Sequence, residues 1–157
     1  MGIIKPVELK IEPGIVERFS VIARKAFPNE ALAYLLGIRR GRQVTIMDLY
    51  EAEARVKSNS AFYETPNSLP DAYVHAREEG LFVVGDVHSH PYGWADWRHF
   101  DPYFVEEQCW PSYFDWQGRM GHWWITGICR VLEHRGGRRT TKTAFYGPLM
   151  PVNVKRR

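Results

Sequence analysis

Long apolar runs, cysteine pairs and an excess of one charge sign are all missing from this sequence of 157 residues. The two cysteines, Cys109 and Cys129, form no Cys-x-x-Cys motif, so no disulfide framework is indicated and a reducing compartment fits. No apolar stretch approaches the length that spans a membrane. Charged residues interrupt the first apolar segment at Lys5, Glu8 and Lys10. We therefore expect no signal peptide and a cytoplasmic location.

The net charge of +3 comes from small basic clusters and not from one continuous basic face. The clusters fall at predicted turns and at the end of the sequence, near residues 39–42, 135–139 and 155–157. Solvated loop tips explain them, so neither nucleic acid nor a membrane surface is expected as a partner. Hydrophobic residues make up 45% and no internal repeat is present, which predicts one globular domain over residues 1–157.

Hydrophobic periodicity predicts a mixed α/β domain with two principal helices and a central mixed or antiparallel sheet. The helices are predicted at 13–27 and 68–79. The strands are predicted at 3–11, 33–38, 43–50, 81–88, 123–132 and 140–146. Hairpin turns are predicted at 39–42 and 135–138, and an extended coil is predicted after Pro148.

The main candidate site lies where an apolar run leads into His88 and His90. Side chains two residues apart in a strand point to the same side, so the two imidazoles should lie side by side. Pro91 has no N–H for the ladder, and we expect the strand to stop there. Asp101 follows after a turn. Two imidazoles and a carboxylate are the usual protein ligands of a catalytic zinc ion whose fourth position is open for water.

Glu30 precedes the predicted strand 33–38 and faces the same site if that strand neighbours the histidine strand. A carboxylate beside a zinc-bound water acts as general base, and later returns the proton to a leaving amine. Without a metal, Glu30 is a solvated side chain at a strand flank and the histidines are ordinary polar residues near the surface. His75 and His134 fall on a helix and a turn, and no role is predicted for them.

These residues together resemble the JAMM metalloproteases, also called JAB1/MPN+ domains. In that family a Glu precedes His-x-His-Pro, and an Asp follows the second His by eleven residues, as Asp101 follows His90 here. The segment before Pro91 is similar to the family's Val-Val-Gly-x-x-His-Ser-His-Pro. The resemblance covers residues 7–132. It implies a cytidine-deaminase-like, three-layer fold and a stand-alone prokaryotic-type domain.

The resemblance further implies a zinc ion bound by His88, His90 and Asp101, with Glu30 as the acid/base. The implied activity is hydrolysis of a peptide or isopeptide bond after the C-terminal tail of a ubiquitin-like protein, or trimming of such a precursor. Two alternatives stay open. One is a catalytically weak or inactive MPN-type interaction module, and the other is a hydrolase of the same fold that acts on sulfur-carrier or phage proteins. The sequence leaves the substrate and the oligomeric state open.

The sequence departs from the family pattern three residues before Asp101, where the usual oxyanion-stabilising Ser is replaced by Arg98. A guanidinium is also a donor, so Arg98 is a candidate for that catalytic role. The segment that follows is rich in aromatic residues. By resemblance it shapes a substrate groove, with Trp110, Tyr113 and Trp116 as substrate-binding candidates, although the same residues are equally suited to covering the core.

Overall fold

The structure is a computed structural model, and it describes residues 8–57, 62–93, 124–146 and 153–156. The described part contains nine strands and two helices. In chain order they are β1 (Glu8–Ile11), α1 (Ile15–Ala26), β2 (Leu32–Arg40), β3 (Gln43–Glu51), β4 (Ala54–Lys57), β5 (Phe62–Glu64), α2 (Ser68–Glu78), β6 (Phe82–Tyr92), β7 (Ile125–Glu133), β8 (Arg139–Tyr146) and β9 (Asn153–Arg156).

Seven strands form one mixed sheet in the order β8-β7-β6-β2-β3-β1-β9, and β4 and β5 form a separate hairpin. The apolar side chains of β2 alternate between two buried clusters. Leu35 packs in the cluster that contains Phe19 of α1, whereas Leu36 packs in the cluster that contains Ala72 of α2. The helices therefore cover opposite faces, and the predicted three-layer mixed α/β fold is confirmed.

Strand β6 lies near the middle of the sheet, antiparallel to β2 and parallel to β7. A β-bulge interrupts its pairing with β2, because Gly85 pairs with Leu35 while Val83 pairs with Leu36, which leaves Val84 as the extra residue. The close approach of β7 requires glycine at position 85, since a Cβ atom there would lie 2.0 Å from the carbonyl oxygen of Ile125.

Two predictions at strand ends are wrong. Strand β6 runs through Pro91 to Tyr92, paired with β7. The N–H of Ser89 points to β2, and an N–H at position 91, two residues later, would point the same way. Because the pairing of β6 with β2 has already ended before Pro91, the proline removes no hydrogen bond from the sheet. The predicted coil after Pro148 contains β9, which pairs in parallel with β1. No helix among the described residues is long and apolar enough to cross a membrane.

Candidate metal centre

The alternation of β6 brings His88 and His90 together on the face of the sheet that α2 covers. Their Nε2 atoms lie 2.9 Å apart, and the ring centroids are 4.9 Å apart. Both side chains are partly buried. A tetrahedral zinc ion bound at about 2.0–2.1 Å by two imidazoles holds their nitrogen atoms about 3.3 Å apart. The pair therefore fits one metal ion after a small rotation of the rings.

Both imidazoles are in the neutral form that a metal requires. Burial, and then the neighbouring His90, lower the pKa of His88 to about 3. Burial, and then the guanidinium of Arg130, lower the pKa of His90 to about 4. A neutral imidazole keeps a lone pair for a cation and releases no ring proton when it binds one. The Nε2 atoms of the histidine pair (His88 and His90) share a hydrogen bond in which one ring is the donor, so a bound metal ion would take the place of that shared proton.

Strand β2 brings Glu30 to the same part of the sheet. Leu32 is the register partner of His88, as the general-base hypothesis requires. Just before it, the N–H of Ala31 donates to Ser89 Oγ at 2.8 Å, and the N–H of Ser89 donates to the carbonyl of Ala31 at 2.9 Å. These two bonds tie the backbone beside Glu30 to the residue that lies between the histidines.

The carboxyl group of Glu30 is partly buried and lines a cavity of about 440 Å³. Burial raises the pKa of Glu30 to about 7. A carboxyl group with a pKa near neutrality is well matched to taking a proton from water and returning it within one reaction cycle. Its position and its raised pKa are both compatible with the predicted acid/base role.

Two polar side chains that the sequence analysis did not select lie on the same face. Asp86 stands two residues before His88, and burial raises its pKa to about 7. Arg130 is fully buried on β7 as the register partner of His90. The period of two could have identified Asp86. No local signal identifies Arg130, because its position depends on the register between β6 and β7.

Five predicted site residues lie outside the described residues, so their positions and roles stay predictions. They are Arg98, Asp101, Trp110, Tyr113 and Trp116. The structure thus brings together His88, His90 and the strand that Glu30 precedes by two residues. The third ligand, the oxyanion donor and the substrate-binding aromatics rest on the sequence alone.

A second group of ligand-type side chains lies farther along the same face, at Asp48, His75 and Glu79; we call it the outer cluster. Its ligand atoms lie within 4.8 Å of one another, so it could hold a metal ion. His75 Nε2 is 3.2 Å from Glu79 Oε1, and Arg18 Nη1 is 2.8 Å from Asp48 Oδ1. Asp48 pairs with Leu36, which puts the cluster about 13 Å from the histidine pair along β2.

Comparisons with known proteins agree with this architecture. A family model described as prokaryotic homologs of the JAB domain matches residues 12–126. The solution structure of a protein from Desulfitobacterium hafniense is similar, with a TM-score of 0.59 and 19% identity, over 95% of this chain and 92% of the other. A solution structure from Salinibacter ruber has a TM-score of 0.54 and 19% identity, over 94% of this chain and 91% of the other.

A comparison with curated proteins finds no match. At their level of identity, the two solution structures show the fold alone. The family model, in contrast, covers well over half of the chain, including β2, Glu30 and both histidines. The chain belongs to the family of prokaryotic JAB-domain homologs, which includes metal-dependent hydrolases.

Proposed function

We propose that the protein is a zinc-dependent peptidase or isopeptidase that cleaves after the C-terminal tail of a ubiquitin-like protein, or trims such a precursor. The observation that carries the proposal is the 2.9 Å separation of the Nε2 atoms of His88 and His90, both in neutral imidazoles. Membership of a family that includes metal-dependent hydrolases supports it. Asp101, by resemblance, is the third ligand.

A bound zinc ion supplies Lewis-acid polarisation of the scissile carbonyl and a water of lowered pKa. Glu30 takes the proton of the water that attacks the carbonyl carbon. When the C–N bond breaks, Glu30 returns that proton to the leaving amine, and the products are a carboxylate and an amine. Ser89 keeps the backbone beside Glu30 in place through its bond from Ala31, so its role is positional.

Substitution of Glu30 by Gln tests the proposal. The amide keeps the shape of the side chain but cannot take a proton, so hydrolysis should fall about 10²–10⁴-fold while the zinc content stays unchanged. Ubiquitin-like fusions with a reporter group after the tail are suitable substrates. Glu78→Gln, an exposed carboxylate at the end of α2, is the matched control and should retain wild-type rates.

Two outcomes contradict the proposal. If the wild-type protein with bound zinc leaves every fusion and peptide intact, the interaction-module alternative stands in its place. If it hydrolyses a substrate and Glu30→Gln hydrolyses it equally fast, the acid/base assignment is wrong although the activity is real.

A further inference from the structure

A cleft of about 640 Å³ opens beside the histidine pair, between the sheet and the β4–β5 hairpin. Tyr34 and Asp86 line it from β2 and β6, and Arg55, Tyr63 and Glu64 line it from the hairpin. The reaction proposed above uses none of these side chains. We call this space the side cleft.

The side cleft lies about as far from the histidine pair as one substrate side chain lies from the next side chain on the same side of an extended peptide. Leu32, the register partner of His88, is part of its lining. Asp86 precedes His88 by two residues on one strand, which corresponds to about 6–7 Å along the sheet. An extended peptide repeats its side chains on one side at the same interval. A peptide held with its scissile bond at the histidine pair can therefore place a nearby side chain in the cleft.

Two carboxyl groups stand within the otherwise mostly apolar lining of the side cleft. Asp86 is 7% exposed and accepts hydrogen bonds from Trp124 Nε1 at 2.9 Å and Thr126 Oγ1 at 3.4 Å. Both bonds reach Oδ1, so Oδ2 is the oxygen available to a ligand. The second carboxyl group, on Glu64, accepts a hydrogen bond from the Tyr34 hydroxyl.

The guanidinium in the lining does not compensate these carboxyl groups. Arg55 is exposed, and within the described part of the chain it forms no ion pair with Glu64 or Asp86. A buried carboxylate without a cation is unfavourable, and a ligand that brings one relieves that cost. Tyr63, with 64% of its surface exposed, adds an aromatic ring at the wall that a cation can contact.

We propose that the side cleft is a specificity subsite for a lysine or arginine side chain that lies within two residues of the scissile bond. The inference rests on the proposed function for its place in catalysis. The binding chemistry does not: two carboxyl groups, a phenol and an aromatic wall would take a basic side chain whether or not a bond is cleaved.

Binding of blocked tripeptides to the full chain tests the subsite directly. Acetyl-Gly-Lys-Gly-amide and its norleucine analogue share an aliphatic stem, and only the first carries a charge. Titration followed by NMR should show about tenfold or tighter binding of the lysine peptide, because charged hydrogen bonds are the strong ones. Shifted resonances should include those of Tyr34, Glu64 and Trp124.

Variants separate a specific pocket from general attraction. Glu64→Gln and Asp86→Asn should each remove most of the lysine preference, while Glu78→Gln should keep it. Glu64 is partly exposed, so Glu64→Gln keeps the test decisive if Asp86→Asn does not fold. Equal binding of the two peptides by the wild type, or an unchanged preference in Glu64→Gln, overturns the proposal.

The same peptides, lengthened to include a cleavable bond, separate the two proposals. A lysine preference in binding without any hydrolysis supports the subsite and counts against the peptidase. Hydrolysis that is indifferent to lysine and norleucine at every position within two residues of the bond supports the peptidase and overturns the subsite.

Discussion

The histidine pair and the outer cluster lie on the same face of the sheet, and each brings metal-binding side chains together. They differ in what surrounds those side chains. The histidine pair stands on successive same-side positions of one central strand and is held neutral by burial. The outer cluster is assembled from β3, α2 and the residue that follows α2, and Arg18 already supplies a positive charge there.

The pKa shifts in the outer cluster show the effect of the Arg18 guanidinium on its carboxyl groups. Burial acts to raise the pKa of Asp48, but hydrogen bonds, led by the one from Arg18, outweigh it and hold the pKa low. The hydrogen bond with Asp48 in turn raises the pKa of Glu79. The guanidinium of Arg18 therefore offsets the negative charge of Asp48 without a metal. A guanidinium also lies near the histidine pair, because Arg130 lowers the pKa of His90. The two groups therefore differ in burial and in how their charges are paired, and proximity of ligand-type atoms alone is a weak criterion for a metal site.

The largest expected effect is on metal content. Wild-type protein should contain about one zinc ion per chain, because three protein ligands are the usual number in a catalytic site. His88→Ala should lose it, and His75→Ala, the matched histidine of the outer cluster, should retain it. Elemental analysis of the purified proteins makes the measurement. Loss of zinc in His75→Ala with retention in His88→Ala would reverse the comparison.

A smaller effect concerns pH and stability in the metal-free protein. The pKa of Glu30 is raised from 4.5 to about 7. The stability that the protonated Glu30 side chain contributes to the folded state is therefore fully present below pH 4.5 and is lost as the pH rises through 7. Glu30→Gln removes that loss. The difference in unfolding free energy between the variant and wild type should therefore shift by about 2 kcal/mol in favour of the variant when the pH is raised from about 5 to about 8.

Urea denaturation in the presence of a chelator, at both pH values, checks this expectation. Glu78→Gln should show no such gain, since its side chain is exposed. Added zinc should reduce the gain, because a nearby cation favours the carboxylate. A wild type and a Glu30→Gln variant with parallel pH profiles would show that Glu30 titrates normally.

A further expectation concerns the bond that ties β2 to the histidine segment. Ser89 is fully buried, and Ser89→Ala removes the acceptor for the N–H of Ala31. Leaving that donor unsatisfied should cost about 1–2 kcal/mol of unfolding free energy. Thermal and chemical denaturation measure it. Ser20→Ala, which removes a side-chain bond to Thr141 far from the site, should cost a similar amount without affecting turnover.

The smallest effect is expected in the outer cluster. Arg18→Met removes an ion pair whose arginine is 55% exposed, and such pairs contribute less than about 1 kcal/mol. The unfolding free energy should change little, and the zinc content not at all. A new bound metal in Arg18→Met, absent from wild type, would show that the guanidinium alone keeps the outer cluster from binding one.

Local patterns were sufficient to predict the placement of the histidine pair, while its metal-binding role stays a prediction. Alternation correctly predicted that His88 and His90 lie side by side, and the adjacency of β2 and β6 required for Glu30 is present. Long-range register was beyond such reasoning. Arg130 reaches His90 only through the pairing of β6 with β7, and His75, for which no role was predicted, meets Asp48 across two elements.

The end of β6 and the edge strand β9 also depend on long-range pairing that local sequence does not contain. A proline was expected to end β6, but its effect depends on whether a neighbouring strand is present on the N–H side, which the sequence of β6 does not contain. Strand β9 is short, and its partner β1 lies at the other end of the sequence. Nothing local distinguishes four such residues from a coil.

The extra residue at Val84 shifts the alternation of side chains along β6 by one residue. Because the bulge precedes the histidines, it decides which face of the sheet every later side chain of β6 occupies. Deleting Val84 would turn the strand beyond it by one step and exchange the inner and outer sets of residues. We expect variation in this part of the chain to proceed by substitution, with insertions and deletions confined to the loops.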